Sequence, residues 1–206
     1  MRPDLVLASA SPRRALILDS LSIPYEVRVP SCHEALLPGE LPAVAARRLA
    51  TEKAASISLV PGEVTVAADT IVAIGSDALG KPADPGEAVE MLLRLSGRDH
   101  FVFTGLAVRS TARLVSGVER TRVHFRQLAR PECEEYVATG EPLDKAGAYG
   151  IQGRGAALVE RIDGDFYNVV GLPVQLMFSL LSRHGVRYDF AGLRNVREGT
   201  PSGECA

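Results

Sequence analysis

Apolar and polar positions follow two periods along this chain, and the switches between them mark its elements. Leu5-Val6-Leu7-Ala8 is a short unbroken apolar run, which reads as a buried strand. Pro12 suits the first turn of a helix, where its missing N–H is harmless, and Leu16, Ile17 and Leu21 follow at helical spacing. Tyr25 to Val29 alternates like a strand. Residues 42–58 predict a helix with Val44, Ala45, Leu49, Ala50 and Ala54 on or near one face, ended by Pro61-Gly62. Val64 to Ile74 is β-branched and strand-like, interrupted at Asp69-Thr70. A helix then opens on Asp84 as cap, with acid in its first turn, and closes at Gly97. His100 to Val108 and Leu114 to Phe125 predict two strands with no helix between them. A short helix over Glu132 to Ala138, a glycine-rich loop over 139–155, a strand over Ala157 to Ile162 and a helix over Pro173 to His184 complete the pattern. Residues 190–206 are polar and glycine-rich and predict a loose C-terminal tail.

Helices and strands mix throughout, so the fold class is α/β. The adjacent central strands predict a mixed twisted sheet with flanking helices. Residues 1–189 form one domain, whose sheet can split into two lobes around a cleft. The 206 residues are enough for a sizeable core, and 46% apolar with 23% charged residues is ordinary for a globular protein. A net charge of −2 and the lack of a basic stripe argue against a nucleic-acid partner. Cys32, Cys133 and Cys205 are odd in number and far apart, so neither a disulfide framework nor a zinc site is expected. No signal peptide and no apolar run of about 20 residues are visible, which predicts a cytoplasmic protein without membrane association.

Chemistry concentrates in a few segments. In "LASASPRR" a strand runs into a helix start bearing two serines and two arginines. Unpaired N–H groups and the partial positive charge there suit phosphate; Ser9 and Ser11 add hydroxyls, and Arg13 and Arg14 add charge and forked donors. An ordinary capped helix with solvated arginines is the alternative. The phosphate loop G-x-x-x-x-G-K-[ST] is absent. In "VAADTIV" Asp69 interrupts an apolar run, where a carboxylate must be paired, hydrogen-bonded or on a metal; an aspartate capping a turn at a strand end is the plainer reading. Lys53 and Lys81 are either phosphate contacts or surface charges. His100 in "SGRDHFVFTG" reads as structural, as do Tyr167 and Asn168. In "DKAGAYGIQG" the glycines let backbone approach a ligand, and the amide of Gln152 can read the edge of a pyrimidine base.

"LASASPRR", "ADTIV", "GKP", "SGRDHFVFTG", "DKAGAYGIQG" and "NVVGLP" occur in this order over residues 5–173, and together they resemble the Maf family of nucleotide pyrophosphatases. The resemblance implies a two-lobed α/β fold similar to inosine triphosphate pyrophosphatases. It implies hydrolysis of a nucleoside triphosphate between the α and β phosphates, with Mg²⁺ or Mn²⁺ as the divalent cation. The "DKAGAYGIQG" form looks like the branch acting on dTTP and UTP. In that branch the catalytic carboxylate falls on Asp69 and the specificity positions on Arg13, Thr70 and Gln152. Ser9, Arg13, Arg14, Lys53 and Lys81 are then the expected phosphate contacts, and Glu34 and Asp69 the expected metal ligands. Ser31-Cys32-His33 stands where the family often carries further acid. The family also implies a homodimer. The alternative function is a nucleotide-binding regulator of cell division or septum formation with little catalysis. Asp69 weighs against it, because a pure binder of polyanions has no use for a carboxylate.

Overall fold

The computed structural model describes residues 4–32 and 34–196. Strand β1 (Asp4–Ala8) leads through Ser9-Ala10-Ser11 into helix α1 (Pro12–Ser20), followed by the two-residue β2 (Glu26–Val27) and the helix α2 (Pro42–Ala55). The long β3 (Glu63–Ile74) turns back through β4 (Asp77–Leu79) to α3 (Pro85–Leu95). The hairpin β5 (Asp99–Arg109) and β6 (Leu114–Phe125) precedes α4 (Arg130–Ala138). Two 3-10 turns, Ala146–Ala148 and Gly153–Leu158, lead to β7 (Val159–Asp163), a short α5 (Phe166–Val170), α6 (Val174–Ser182) and a final hairpin, β8 (Val186–Tyr188) and β9 (Leu193–Asn195). No helix among the described residues is long and apolar enough to cross a membrane.

The sheet is mixed, in the order β2-β1-β3-β5-β6-β7, with β1 parallel to β2 and β3 and the remaining neighbours antiparallel. β3 is its spine. β5 pairs along one edge of β3 from Thr65 to Ala73. On the opposite edge β1 pairs only as far as Ala67, and β4 begins only at Val72. Ala68, Asp69, Thr70 and Ile71 therefore present an open edge between the two partners. This gap splits the molecule into lobes that share one sheet.

Alternation along β3 assigns the layers. Ala67 and Ile71 face α2, whose Ala45, Ala46, Ala50 and Ala54 are fully buried against them and against Ala107. The small residues let the helix lie almost on the sheet: a Cβ added at Gly105 would sit 2.0 Å from the carbonyl oxygen of Ala46. Arg109 donates to the carbonyls of Ala54 and Ile57 at 2.9 and 2.7 Å, closing the C-terminus of α2. On the other face, one core packs α1 and α6 on Val64, Val66 and Ala68, and a second packs α3 and α4 on Val72 and Val102. The cleft opens between these two cores.

Three expectations change. β3 runs unbroken through Asp69-Thr70, because Asp69 pairs in register with Gly105 and Thr70 with Thr104. The strand expected over Tyr25 to Val29 shortens to β2, an exposed edge held by Arg28 reaching Glu63 and Glu26. The stretch expected to be loose from residue 190 begins with a real strand. β9 pairs with β8 and buries Leu193, while residues 197–206 lie outside the described residues.

Candidate active site

A cleft of about 460 Å³ follows the open edge of β3, and every residue named above as a site candidate lines it. Its first wall is the turn between β1 and α1. β1 stops at Ala8 and buries Ser9 behind it. The Ser9 hydroxyl accepts from the Ser11 N–H at 3.1 Å and from Arg14 Nη1 at 3.0 Å, so its own proton is left for the cleft. No side chain among the described residues caps α1, and Pro12 occupies its first turn. The N–H groups of Arg13 and Arg14 thus head the helix without a cap, the donor arrangement that receives anions.

The two arginines have different duties. Arg13 lines the cleft and makes no hydrogen bond or ion pair among the described residues. Arg14 is a strut. Its Nε donates to the Gly171 carbonyl at 2.8 Å and its Nη2 to Thr70 Oγ1 at 3.3 Å, besides the bond to Ser9. Burial presses its pKa down, and the nearby charge of Asp69 opposes that shift. Arg14 therefore ties α1, β3 and the turn after α5 together, which leaves less of its fork for a phosphate than the sequence suggests.

The second wall comes from α2. Because the alanine face of α2 sits so close to the sheet, Lys53 reaches the cleft while remaining buried. Its Nζ lies 2.6 Å from Asp69 Oδ1 and 2.9 Å from Glu34 Oε2. Asp69 is itself buried in the middle of β3. Burial raises its pKa above the ordinary carboxylate range, while the charge and hydrogen bond of Lys53 and the charge of Arg14 pull it back. Lys53 is thus a partner of the carboxylate, not the surface charge its sequence context allowed. Glu34 is exposed and reaches the same ammonium from the loop before α2.

The third wall is the loop over residues 144–152. It is packed, not floppy. Gly147 and Ala148 take φ of 70° and 57°, and the Gly147 N–H donates to the Gly80 carbonyl at 3.0 Å, beside Lys81. Tyr149 is buried, its hydroxyl 2.8 Å from His100 Nε2. The Glu141 carboxylate accepts from Tyr136, Arg154 N and Gly155 N, and the Tyr136 hydroxyl accepts from Gly150 N, so both flanks of Gln152 are fixed. Gln152 and Lys81 are exposed at the rim, with no hydrogen bond or ion pair among the described residues. His100 and Asn168 are buried and structural, as the sequence suggests. Asn168 Nδ2 donates to the Val102 carbonyl and to Thr121 Oγ1, pinning α5 to the sheet.

Sequence reasoning did not single out Asp144 and Lys145, which also line the cleft. Lys145 Nζ binds Asp144 at 2.6 Å. Burial pushes the Asp144 pKa up, but Lys145 and the charge of Arg13 outweigh it and hold the carboxyl below its usual range. Both residues open the glycine-rich motif "DKAGAYGIQG", whose two adjacent charges are their signal in the sequence. Thr104, behind Thr70, gave no signal beyond its place in "SGRDHFVFTG".

The arrangement gathers donors and cations at one end, Asp69 beside them, and Val72, Val102, Ile151 and Val170 as an apolar surface near Thr70 and Gln152. A polyanion with a flat aromatic head fits that division. A family model described as Maf-like protein matches residues 4–184. A dTTP/UTP pyrophosphatase of Symbiobacterium thermophilum is 50% identical over 183 residues, 88% of this chain and 94% of that one. Its counterpart from Thermus thermophilus is 47% identical over 186 residues, 90% and 97% of the two chains. One from Aquifex aeolicus is 45% identical over 178 residues, 86% and 93%. A solved nucleoside-triphosphatase / dITP/XTP pyrophosphatase from Mycobacterium abscessus aligns over 61% of this chain and 75% of that one with 17% identity and a TM-score of 0.39, a likeness too weak to carry an argument. The family match over residues 4–184 and the near-half identity to relatives covered over most of their length lead to one conclusion: this chain belongs to the Maf-like protein family.

Proposed function

We propose that this protein is a nucleoside triphosphate pyrophosphatase that hydrolyses dTTP and UTP to the nucleoside monophosphate and pyrophosphate. The names of its full-length relatives support the substrates. The observation that carries the chemistry is Asp69: a carboxylate buried mid-strand, held by Lys53, opening onto a cleft whose opposite wall is a helix start with Arg13. In this reading the triphosphate lies against Ser9, the N–H groups heading α1, Arg13 and Lys81. Asp69, with its pKa raised by burial, takes a proton from the attacking water as oxygen bonds to the α phosphorus and pyrophosphate departs. Lys53 keeps Asp69 aimed and ionised. A regulator that only bound nucleotide would gain nothing from this carboxylate, which repels phosphate.

The carboxylates of Asp69 and Glu34 meet at one ammonium, and both are hard oxygen donors, which suits Mg²⁺ or Mn²⁺. Among the described residues no group of three or more His, Cys, Asp or Glu could hold a metal alone. When bound, such a cation neutralises phosphate charge and polarises the bond to be cleaved. We include a cytoplasmic location and the family's homodimer in the proposal. The exposed apolar side chains of Leu36, Leu37, Leu41 and Val44 support a second copy, which light scattering tests.

The deciding experiment is pyrophosphate release from a panel of canonical and modified nucleotides with Mg²⁺ or Mn²⁺. Release from dTTP and UTP is expected. No release from any triphosphate overturns the reading.

A further inference from the structure

We propose that Thr104, which lies behind the cleft wall and is fully buried, fixes Thr70 as a hydrogen-bond acceptor and so selects uracil and thymine over cytosine. This rests on the pyrimidine triphosphatase reading above. Thr70 and Thr104 face each other across β3 and β5, their hydroxyl oxygens 3.0 Å apart. Distance alone leaves the direction of that bond open. The next link settles it. Thr104 Oγ1 lies 2.9 Å from the backbone carbonyl of Asn168 in α5, and a carbonyl only accepts. Thr104 has one proton, so it goes to Asn168, and the Thr104 oxygen accepts from Thr70. The single proton of Thr70 is thereby spent inward. From the other side Arg14 Nη2 donates to Thr70 at 3.3 Å. What Thr70 still offers the cleft is a lone pair.

The chain of bonds is held at both ends. Asn168 is buried, and its side chain pins α5 to Val102 and Thr121, so the accepting carbonyl does not drift. Arg14 is braced on Ser9 and Gly171. Turning the Thr104 proton towards Thr70 strands the buried Asn168 carbonyl, and turning the Thr70 proton towards the cleft gives up its bond to Thr104.

A fixed acceptor reads a difference that Gln152 does not. Uracil and thymine carry a ring N–H flanked by carbonyls; cytosine presents an unprotonated ring nitrogen beside an amino group. The amide of Gln152 is exposed and unpartnered among the described residues, so it can turn over and complement either edge. Thr70 turns its proton outward only by giving up its bond to Thr104. Facing the ring N–H it accepts a proton; facing the bare nitrogen of cytosine it sets two lone pairs against each other, and a buried mismatch of this kind is rejected strongly.

The test compares Thr104→Val and Thr104→Ser with wild type, assaying pyrophosphate release from UTP and CTP. Wild type is expected to favour UTP in kcat/KM by at least about tenfold. Thr104→Val frees the Thr70 proton, and the UTP/CTP ratio should fall at least about fivefold, chiefly through a lower KM for CTP. Thr104→Ser keeps the relay and the ratio. An unchanged ratio in a folded Thr104→Val protein overturns the inference, as does a wild type that takes CTP as readily as UTP. Should Thr104→Val not fold, wild type with 3-methyl-UTP, which lacks the ring N–H, decides: at least about tenfold loss against UTP is expected, and equal rates overturn the proposal. A wild type inactive on every triphosphate fails the functional reading itself, a different result from activity without discrimination.

Discussion

At the scale of single residues the site is governed by what burial does to charge. Asp69 gains basicity from its burial and aim from Lys53. Asp69→Asn keeps the shape and removes the proton acceptor, so pyrophosphate release should fall about 10²- to 10⁴-fold. The variant should melt no lower than wild type near pH 8, since it removes a buried charge and Lys53 keeps Glu34. A rate near wild type would remove Asp69 from the mechanism. His100 shows the same physics with the opposite sign. Burial lowers its pKa from 6.5 to about 4. The unfolded chain takes up this proton as pH drops below about 6.5, while the folded one resists until about 4. Stability is therefore present at neutral pH and drains away over that window, by about 3 kcal/mol at most. Urea melts of wild type and His100→Gln at pH 7 and pH 4.5 check this: the variant should lose distinctly less stability on acidification.

At the scale of elements, α2 is the part that places the chemistry. Its run of alanines is readable in the sequence as a helix face, but not as a face that touches backbone. Gly105 explains the difference, because its missing side chain lets the Ala46 carbonyl approach and brings Lys53 over Asp69, its cross-strand neighbour. Gly105→Ala should push α2 outward. We expect a loss of about 1–3 kcal/mol in denaturant melts and a drop in kcat larger than the change in KM, as Lys53 leaves its carboxylate. Unchanged stability would contradict the close approach. The element boundaries legible in the sequence were those with a chemical marker: Pro12 at α1, Asp84 at α3, whose carboxylate does accept from the Glu87 N–H, and Gly97 after it. α5 has such markers, Asp165 accepting from the Tyr167 N–H and Gly171 closing the turn, but its five residues are too few to show a helical period; β4, three residues long, carries no period either. The polar pair Asp69-Thr70 looked like a break in β3. Polarity alone does not separate a strand that ends from one that crosses a cleft.

At the scale of the whole molecule, the sequence made the mixed α/β class and the gathering of distant motifs legible, because each motif carried its own chemistry. Partnership was not legible. That Arg14 braces the walls while Arg13 makes no hydrogen bond or ion pair among the described residues, or that Thr104 backs Thr70, depends on which faces the sheet brings together, and no spacing along the chain encodes it. The open stretch between β1 and β4 has a mechanical outcome. Both lobes hang on the same uninterrupted β3–β5 ladder, from Thr65 to Ala73, so they cannot swing apart on a flexible joint without tearing rungs from it. Amide exchange measured by mass spectrometry should find that ladder uniformly slow on either side of Asp69, with opening confined to the rim segments. On the proposed reading nucleotide enters a jaw that is already set, and the side chains of Lys81 and Gln152, exposed at its rim, are left to adjust to it.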